Sequence, residues 1–204
     1  MCSSDLGGVR TAGWVLLAAL TLSACVSTTP ETSLHVAVER DTRREGFRRV
    51  AVITDDYYYC YPLTHEVIRV PRGFETDFAS IPYVAAGFID PMGDNMEAAV
   101  IHDYLYAVGE PGQREKADTI LLDALEQHHV DPIRRKLMYE TVRLGGAKNY
   151  GAATEWRFAD PETQKPIKPP PKPRTAIVAR LNRCEDLKGG TFLRMRALAA
   201  LPKL

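Results

Sequence analysis

The chain is 204 residues long and carries 26 Lys and Arg against 26 Asp and Glu, with 45% hydrophobic residues and four Cys. One ordinary domain with appendages suits that length; the apolar share excludes a wholly disordered chain, and four Cys are too few for a disulfide scaffold. The zero net charge hides a basic stretch over 161–204, where ten Lys and Arg stand against three acids; a nucleic-acid binder places its cations on the folded domain, so no nucleic-acid partner is expected.

In chain order, the first feature is Arg10 followed by an apolar run from Ala12 to Leu22 and then Ser23-Ala24-Cys25. A cation, a short apolar stretch and small residues before a Cys are the pattern of an export signal, and the run is too short to span a bilayer. Leu22-Ser23-Ala24-Cys25 resembles the bacterial lipobox. The resemblance implies cleavage before Cys25, acylation of its thiol, and a chain held on a membrane rather than spanning it. Val26 after the Cys implies the periplasmic face of the outer membrane in a Gram-negative cell, and the cell envelope otherwise. Residues 1–6 resemble a translated sequencing adapter and are given no role. Cys60 and Cys184 are the remaining thiols; they either pair in an oxidising envelope or stay as two buried thiols.

Residues 25–33 read as a Ser/Thr/Pro tether. Strands are expected at 34–39, 47–54, 57–61 and 66–70, each rich in β-branched and aromatic residues, with Pro62-Leu63-Thr64 turning a hairpin between the last two. The Tyr57-Tyr58-Tyr59 run reads as one core face alternating with one exposed face. After Pro71-Arg72-Gly73 the period lengthens. Asp94 and Glu97 form a capping box for a helix reaching Val108; Gly109-Glu110-Pro111-Gly112 breaks it, and a second helix runs from Arg114 to about His128. Asp131-Pro132 supplies an N-cap and an N1 proline for a third, ended near Leu144 by Gly145-Gly146. Six prolines between 161 and 173 make a stiff linker. The rest reads as a docking helix or an interfacial segment.

The chemistry-bearing residues lie on the helical hairpin. His102 falls in the apolar stripe Ala98, Ile101, Leu105, Tyr106 of the first helix, and Asp118 in the stripe Ala117, Leu121, Ala124, Leu125 of the second. The turn centred near residue 110 sets them at equal height on facing helices, about 12 Å from the turn. A carboxylate in an apolar stripe is costly without a partner, so His102 and Asp118 are expected to meet, with the Tyr106 hydroxyl on the same acid. Such a dyad either works as a general base on water or clamps two helices together. Asp103 points elsewhere and is a hard-oxygen donor of the kind Ca²⁺ takes; Asp77, with Thr76 and Ser80 in the 73–82 loop, either adds a second donor or caps a turn.

The strings VPRGFETDFASIP, AAVIHDYLY, REKADTILLDAL and RRKLMYETVRLGG, between Val70 and Gly146, resemble a family of phage and bacterial proteins known as the domain of unknown function 1353. The family name carries no activity. His102-Asp103-Tyr104-Leu105-Tyr106 and Ala117-Asp118 are similar to the H-D-x-x-Y helix and the A-D pair of secreted and parvoviral phospholipases A2. That resemblance implies His102 as base, Asp118 as its orienter, Tyr106 as support and Asp103 as a Ca²⁺ ligand. The glycine-rich calcium loop and the disulfide ladder of the secreted enzymes have no counterpart here.

These readings converge on an α+β protein, a small antiparallel sheet packed against a helical hairpin and a third helix. It is divided into a leader (1–24), a tether (25–33), a domain (34–158), a proline-rich linker (159–174) and a basic C-terminal segment (175–204). Two functions are expected from it. One is an envelope-anchored ester hydrolase of phospholipase A2 type with Ca²⁺ at Asp103 and Asp77. The other is a non-catalytic, prophage-derived envelope protein whose His-Asp-Tyr network is structural and whose basic segment meets phospholipid or cell wall.

Overall fold

A computed structural model describes residues 34–40, 49–78 and 94–188. The leader, the tether, Cys25 and Ser80 lie outside the described residues. The fold is α+β, as expected, but it has two three-stranded antiparallel sheets rather than one. The first joins β1 (Val36–Arg40), β2 (Arg49–Ile53) and β5 (Glu75–Thr76), with β2 central; the second joins β3 (Tyr57–Tyr61), β4 (Glu66–Val70) and β6 (Ile177–Arg180), with β4 central. Three helices follow β5: α1 (Met96–Val108), α2 (Arg114–Gln127) and α3 (Pro132–Gly145).

The β3–β4 hairpin pairs Tyr57 with Val70 and Tyr61 with Glu66, and its four-residue turn closes where the His65 amide donates to the Tyr61 carbonyl at 2.8 Å. Every residue of β3 is buried, against the expectation of one wet face. Tyr57, Tyr59 and Tyr61 enter the main core, while Tyr58 and Cys60 point the other way into a small cluster with Val67, Cys184 and Leu187. The C-terminal segment therefore supplies the missing cover. It contributes β6 along β4 and a 3₁₀ turn at Cys184–Lys188 over β3, fastened by a Cys60–Cys184 disulfide spanning 124 residues of sequence. Where a helix or an interfacial segment was expected, residues 177–180 are a strand, because β4 would otherwise present an unpaired edge.

The proline-rich segment runs along the body on its way to β6. The Trp156 indole N–H donates to the Pro170 carbonyl at 2.8 Å, Ala159 bridges to Pro166, and the Lys172 ammonium lies 5.9 Å from the Trp156 ring centre. Phe74, Tyr104, Trp156 and Phe158 stack edge-on or tilted around the start of β5.

The helix boundaries follow their signals with one exception. Asp131 caps α3 by accepting from the Ile133 and Arg134 amides, and Gly109 ends α1 in the left-handed region at φ 62°. The residue capping α1 is Asn95 rather than Asp94, and no side chain bonds its first amides. The α1 stripe is also wider than its period implies. Ala99, Val100, Tyr104, Ala107 and Val108 are buried along with the expected residues, while Leu105 is only partly so. Both sheets and α2 press on this helix, so polar groups on it need internal partners.

Candidate functional site

The sharp turn at Gly109–Gln113 returns the chain antiparallel, and α1 packs along α2. Its geometry depends on a close backbone approach. The Gly151 amide donates to the Tyr106 carbonyl at 2.8 Å, and Gly151 lies directly against Gly109, where a Cβ would have no room.

Across this hairpin His102 and Asp118 meet. His102 Nε2 lies 3.1 Å from Asp118 Oδ1, and the Tyr106 hydroxyl donates to the same oxygen at 2.6 Å. An ionised carboxylate only accepts, so the proton of the His102–Asp118 bond sits on Nε2. Burial pushes the Asp118 carboxyl upward, but the hydrogen bonds from His102 and Tyr106 and the nearby cationic groups outweigh it and hold the acid below its ordinary range. Tyr106 moves the other way, raised by burial and by its bond to the carboxylate.

Arg114 is a fourth member that the sequence reading passed over. It precedes Asp118 by one helical turn, and its Nη1 lies 3.7 Å from Asp118 Oδ2. That oxygen is buried with no hydrogen-bond partner among the described residues, so the guanidinium is its nearest compensation. The i, i+4 spacing was the available signal. Arg114 also donates to the Arg143 carbonyl at 3.3 Å, tying α2 to the end of α3.

The network is sealed. His102 is 1% exposed, Asp118 0% and Tyr106 5%. The Tyr106 ring lies over the imidazole with centroids 4.1 Å apart, and Tyr150 meets its other side edge-on at 5.1 Å. Gly146 closes the remaining approach, since a Cβ there would stand 2.5 Å from the Tyr106 hydroxyl. A hollow at the surface lies one turn further along α1, lined by Leu105, Val108, Ala117, Ile120 and Tyr150 among others, and none of His102, Asp118 or Tyr106 lines it.

Asp103 and Asp77 have partners of their own. The Thr76 hydroxyl donates to Asp103 while accepting the Phe78 amide at 3.2 Å, the capped turn of the simpler expectation. Asp77 is 3.5 Å from Arg157, which also sits 3.3 Å from Glu75. Arg157 carries no periodic signal and comes from a loop beyond α3. Among the described residues no three His, Cys, Asp or Glu side chains gather as donors for a metal ion. The other histidines lie apart from this site: His35 reaches the exposed Asp55 at 3.3 Å, and His128 pairs with Glu97 at 2.8 Å.

Residues 51–142 match the family described as protein of unknown function DUF1353. That span is similar to the DUF1353 family. The match runs from β2 to the last turn of α3 and so contains His102, Tyr106, Arg114 and Asp118; β1, β6 and Cys184 fall outside it. No curated protein and no solved structure matches the chain. The matched span thus holds the polar network at the α1–α2 crossing, and the C-terminal segment completes the second sheet from outside it.

Proposed function

We propose that this is an exported, lipid-anchored protein of the bacterial envelope whose DUF1353 domain is a non-catalytic module, with His102, Asp118, Tyr106 and Arg114 clamping the helical hairpin. The observation that carries the reading is the sealing of the pair: an imidazole 1% exposed beside a carboxylate 0% exposed has no route to a substrate or to bulk water. A buried network with its polar atoms largely satisfied rigidifies a crossing. The anchored half of the reading rests on Leu22-Ser23-Ala24-Cys25, and the Cys60–Cys184 disulfide agrees with an oxidising compartment.

A second reading, an ester hydrolase of phospholipase A2 type, is favoured by one specific geometry. Nε2 at 3.1 Å from the acid, with a tyrosine hydroxyl at 2.6 Å on the same oxygen, is the arrangement that orients a general base. It requires the Tyr106 ring to lift from the imidazole. Calcium at Asp103 and Asp77 would further require both carboxylates to leave Thr76 and Arg157. The phage resemblance of the family suits the first reading, as does the basic segment as a contact for phospholipid or cell wall.

Two measurements test the proposal. With mixed phospholipid vesicles and Ca²⁺, the purified chain and its His102→Gln variant should release equal, background amounts of fatty acid; release by the wild type alone overturns the non-catalytic reading. Labelling of the chain with radioactive palmitate in a bacterial host should be abolished by Cys25→Ser, and an unlabelled wild type overturns the anchor.

A further inference from the structure

Outside the polar network, the least explained surface is the outer face of α3. Met138 and Val142 bury its inner face. Opposite them Ile133 is 79% exposed, Leu137 43% and Leu144 85%. At about 100° per residue these three fall within about 40° of one another, a single apolar stripe about 17 Å long. Solvent-facing helix surfaces are normally polar, and large exposed aliphatic groups in a row mark a contact.

The rims of the stripe are cationic. Arg134 lies about 60° to one side of Leu137, and Lys136 about 60° to the other side of Ile133, both exposed; Lys148 follows just beyond the helix end, also exposed. Arg135 and Arg143 are engaged, with Glu126 at 3.1 Å and Glu115 at 3.0 Å. Arg134, Lys136 and Lys148 make no ion pair among the described residues. One acid, Glu140, stands inside the stripe between Leu137 and Leu144 and is exposed.

We infer that this face of α3 docks on an anionic phospholipid surface. Ile133, Leu137 and Leu144 enter the boundary between headgroups and acyl chains, while Arg134, Lys136 and Lys148 meet lipid phosphates. Charge decides the occupant. A second copy of the chain would bring the same cationic rims against one another, whereas a layer of anionic headgroups complements both rims at once. Glu140 holds the helix at headgroup level and weakens the contact, so docking is shallow and depends on salt. If Cys25 is acylated, the nine residues to Leu34 keep the domain within about 30 Å of the bilayer, and a weak contact is then enough to set its orientation. That last step rests on the anchored reading of Cys25; the surface itself does not.

The test uses the full chain with Cys2→Ser, Cys25→Ser and Leu144→Cys, its Cys60–Cys184 disulfide kept oxidised and the new thiol carrying a polarity-sensitive nitrobenzoxadiazole dye. The leader is the same in every sample, so differences between variants report α3. Vesicles containing phosphatidylglycerol should shift the emission to the blue, and pure phosphatidylcholine vesicles should not. Arg134→Glu with Lys136→Glu should weaken the effect by on the order of 600-fold in lipid concentration, at roughly fivefold for each of the four units of charge changed. Glu140→Gln should strengthen it about fivefold. A shift equal in both lipids, or unmoved by either charge variant, overturns the proposal. So does a shift in buffer alone accompanied by a doubled mass in light scattering, which assigns the face to a second copy. An unlabelled Cys25 in the palmitate experiment removes the tether and leaves this result standing.

Discussion

Asp118→Ala is the sharpest probe of the hairpin. It removes the acceptor of two buried donors, His102 Nε2 at 3.1 Å and the Tyr106 hydroxyl at 2.6 Å, and no solvent reaches either one. Each orphaned donor costs about 1–3 kcal/mol, partly offset because the carboxylate no longer has to be desolvated. The sum is about 3–5 kcal/mol, the range for breaking a buried pair from one side. Against a total stability of about 5–15 kcal/mol that is a large fraction. In urea unfolding followed by circular dichroism, the midpoint should fall by about 2 M with an unchanged slope. The companion variant replaces the whole network with apolar groups, His102→Leu, Tyr106→Phe and Asp118→Val together. Since no donor is then orphaned, its stability should return to within about 1 kcal/mol of the wild type. The clamp argument is refuted if Asp118→Ala costs under about 1 kcal/mol, or if the triple variant is as unstable as the single one.

Other consequences can be checked in the same assay. Replacing Cys60 and Cys184 by Ala opens a loop of 124 residues' separation, which chain-entropy arguments value at about 4–5 kcal/mol; a loss below about 1 kcal/mol would mean that β6 and the terminal 3₁₀ turn stay docked unaided. Gly109→Ala meets both a φ of 62° and the backbone of Gly151, so a loss above about 2 kcal/mol is expected, and a neutral effect would show that the α1–α2 turn yields easily. Glu66 gives a pH signature. Burial raises its carboxyl, but Lys116, Thr64 and Arg180 bring it down to about 2 from an ordinary 4.5. A depressed acid stabilises the fold above its unfolded pKa and loses that contribution as pH falls through the folded one. The stability gap between wild type and Glu66→Gln should therefore be full above about pH 4.5 and close toward pH 2; a gap independent of pH in that window would assign the effect to packing.

Much of this protein was legible because the signals were local. Asp131-Pro132 and Gly109 mark helix ends through their own backbone chemistry, and they lie where the helices start and stop. The meeting of His102 with Asp118 followed from helical geometry, since both lie in the inward apolar stripes of their helices and equally far from one turn, hence at the same height. That an acid in an apolar stripe demands a partner needed no coordinates either.

Accessibility was decided elsewhere. Whether the imidazole works on a substrate or clamps a helix depends on the Tyr106 ring lying over it and on Gly146 and Tyr150 packing against that ring, and those two come from the end of α3 and beyond, where no periodicity records their packing. The alternation in β3 likewise allowed one dry face or two, and the choice was made by a C-terminal segment more than a hundred residues away that brings Leu187 and Cys184 onto Tyr58 and Cys60. The division of six strands into two sheets has the same origin, because a strand's sequence specifies its faces and leaves open which edge it pairs with. The amino-acid sequence by itself determined the three helices, the Asp131 cap of α3, the Gly109 end of α1 and the pairing of one histidine with one aspartate. Only the tertiary structure, through contacts distant in sequence, decided that water is shut out of that pair.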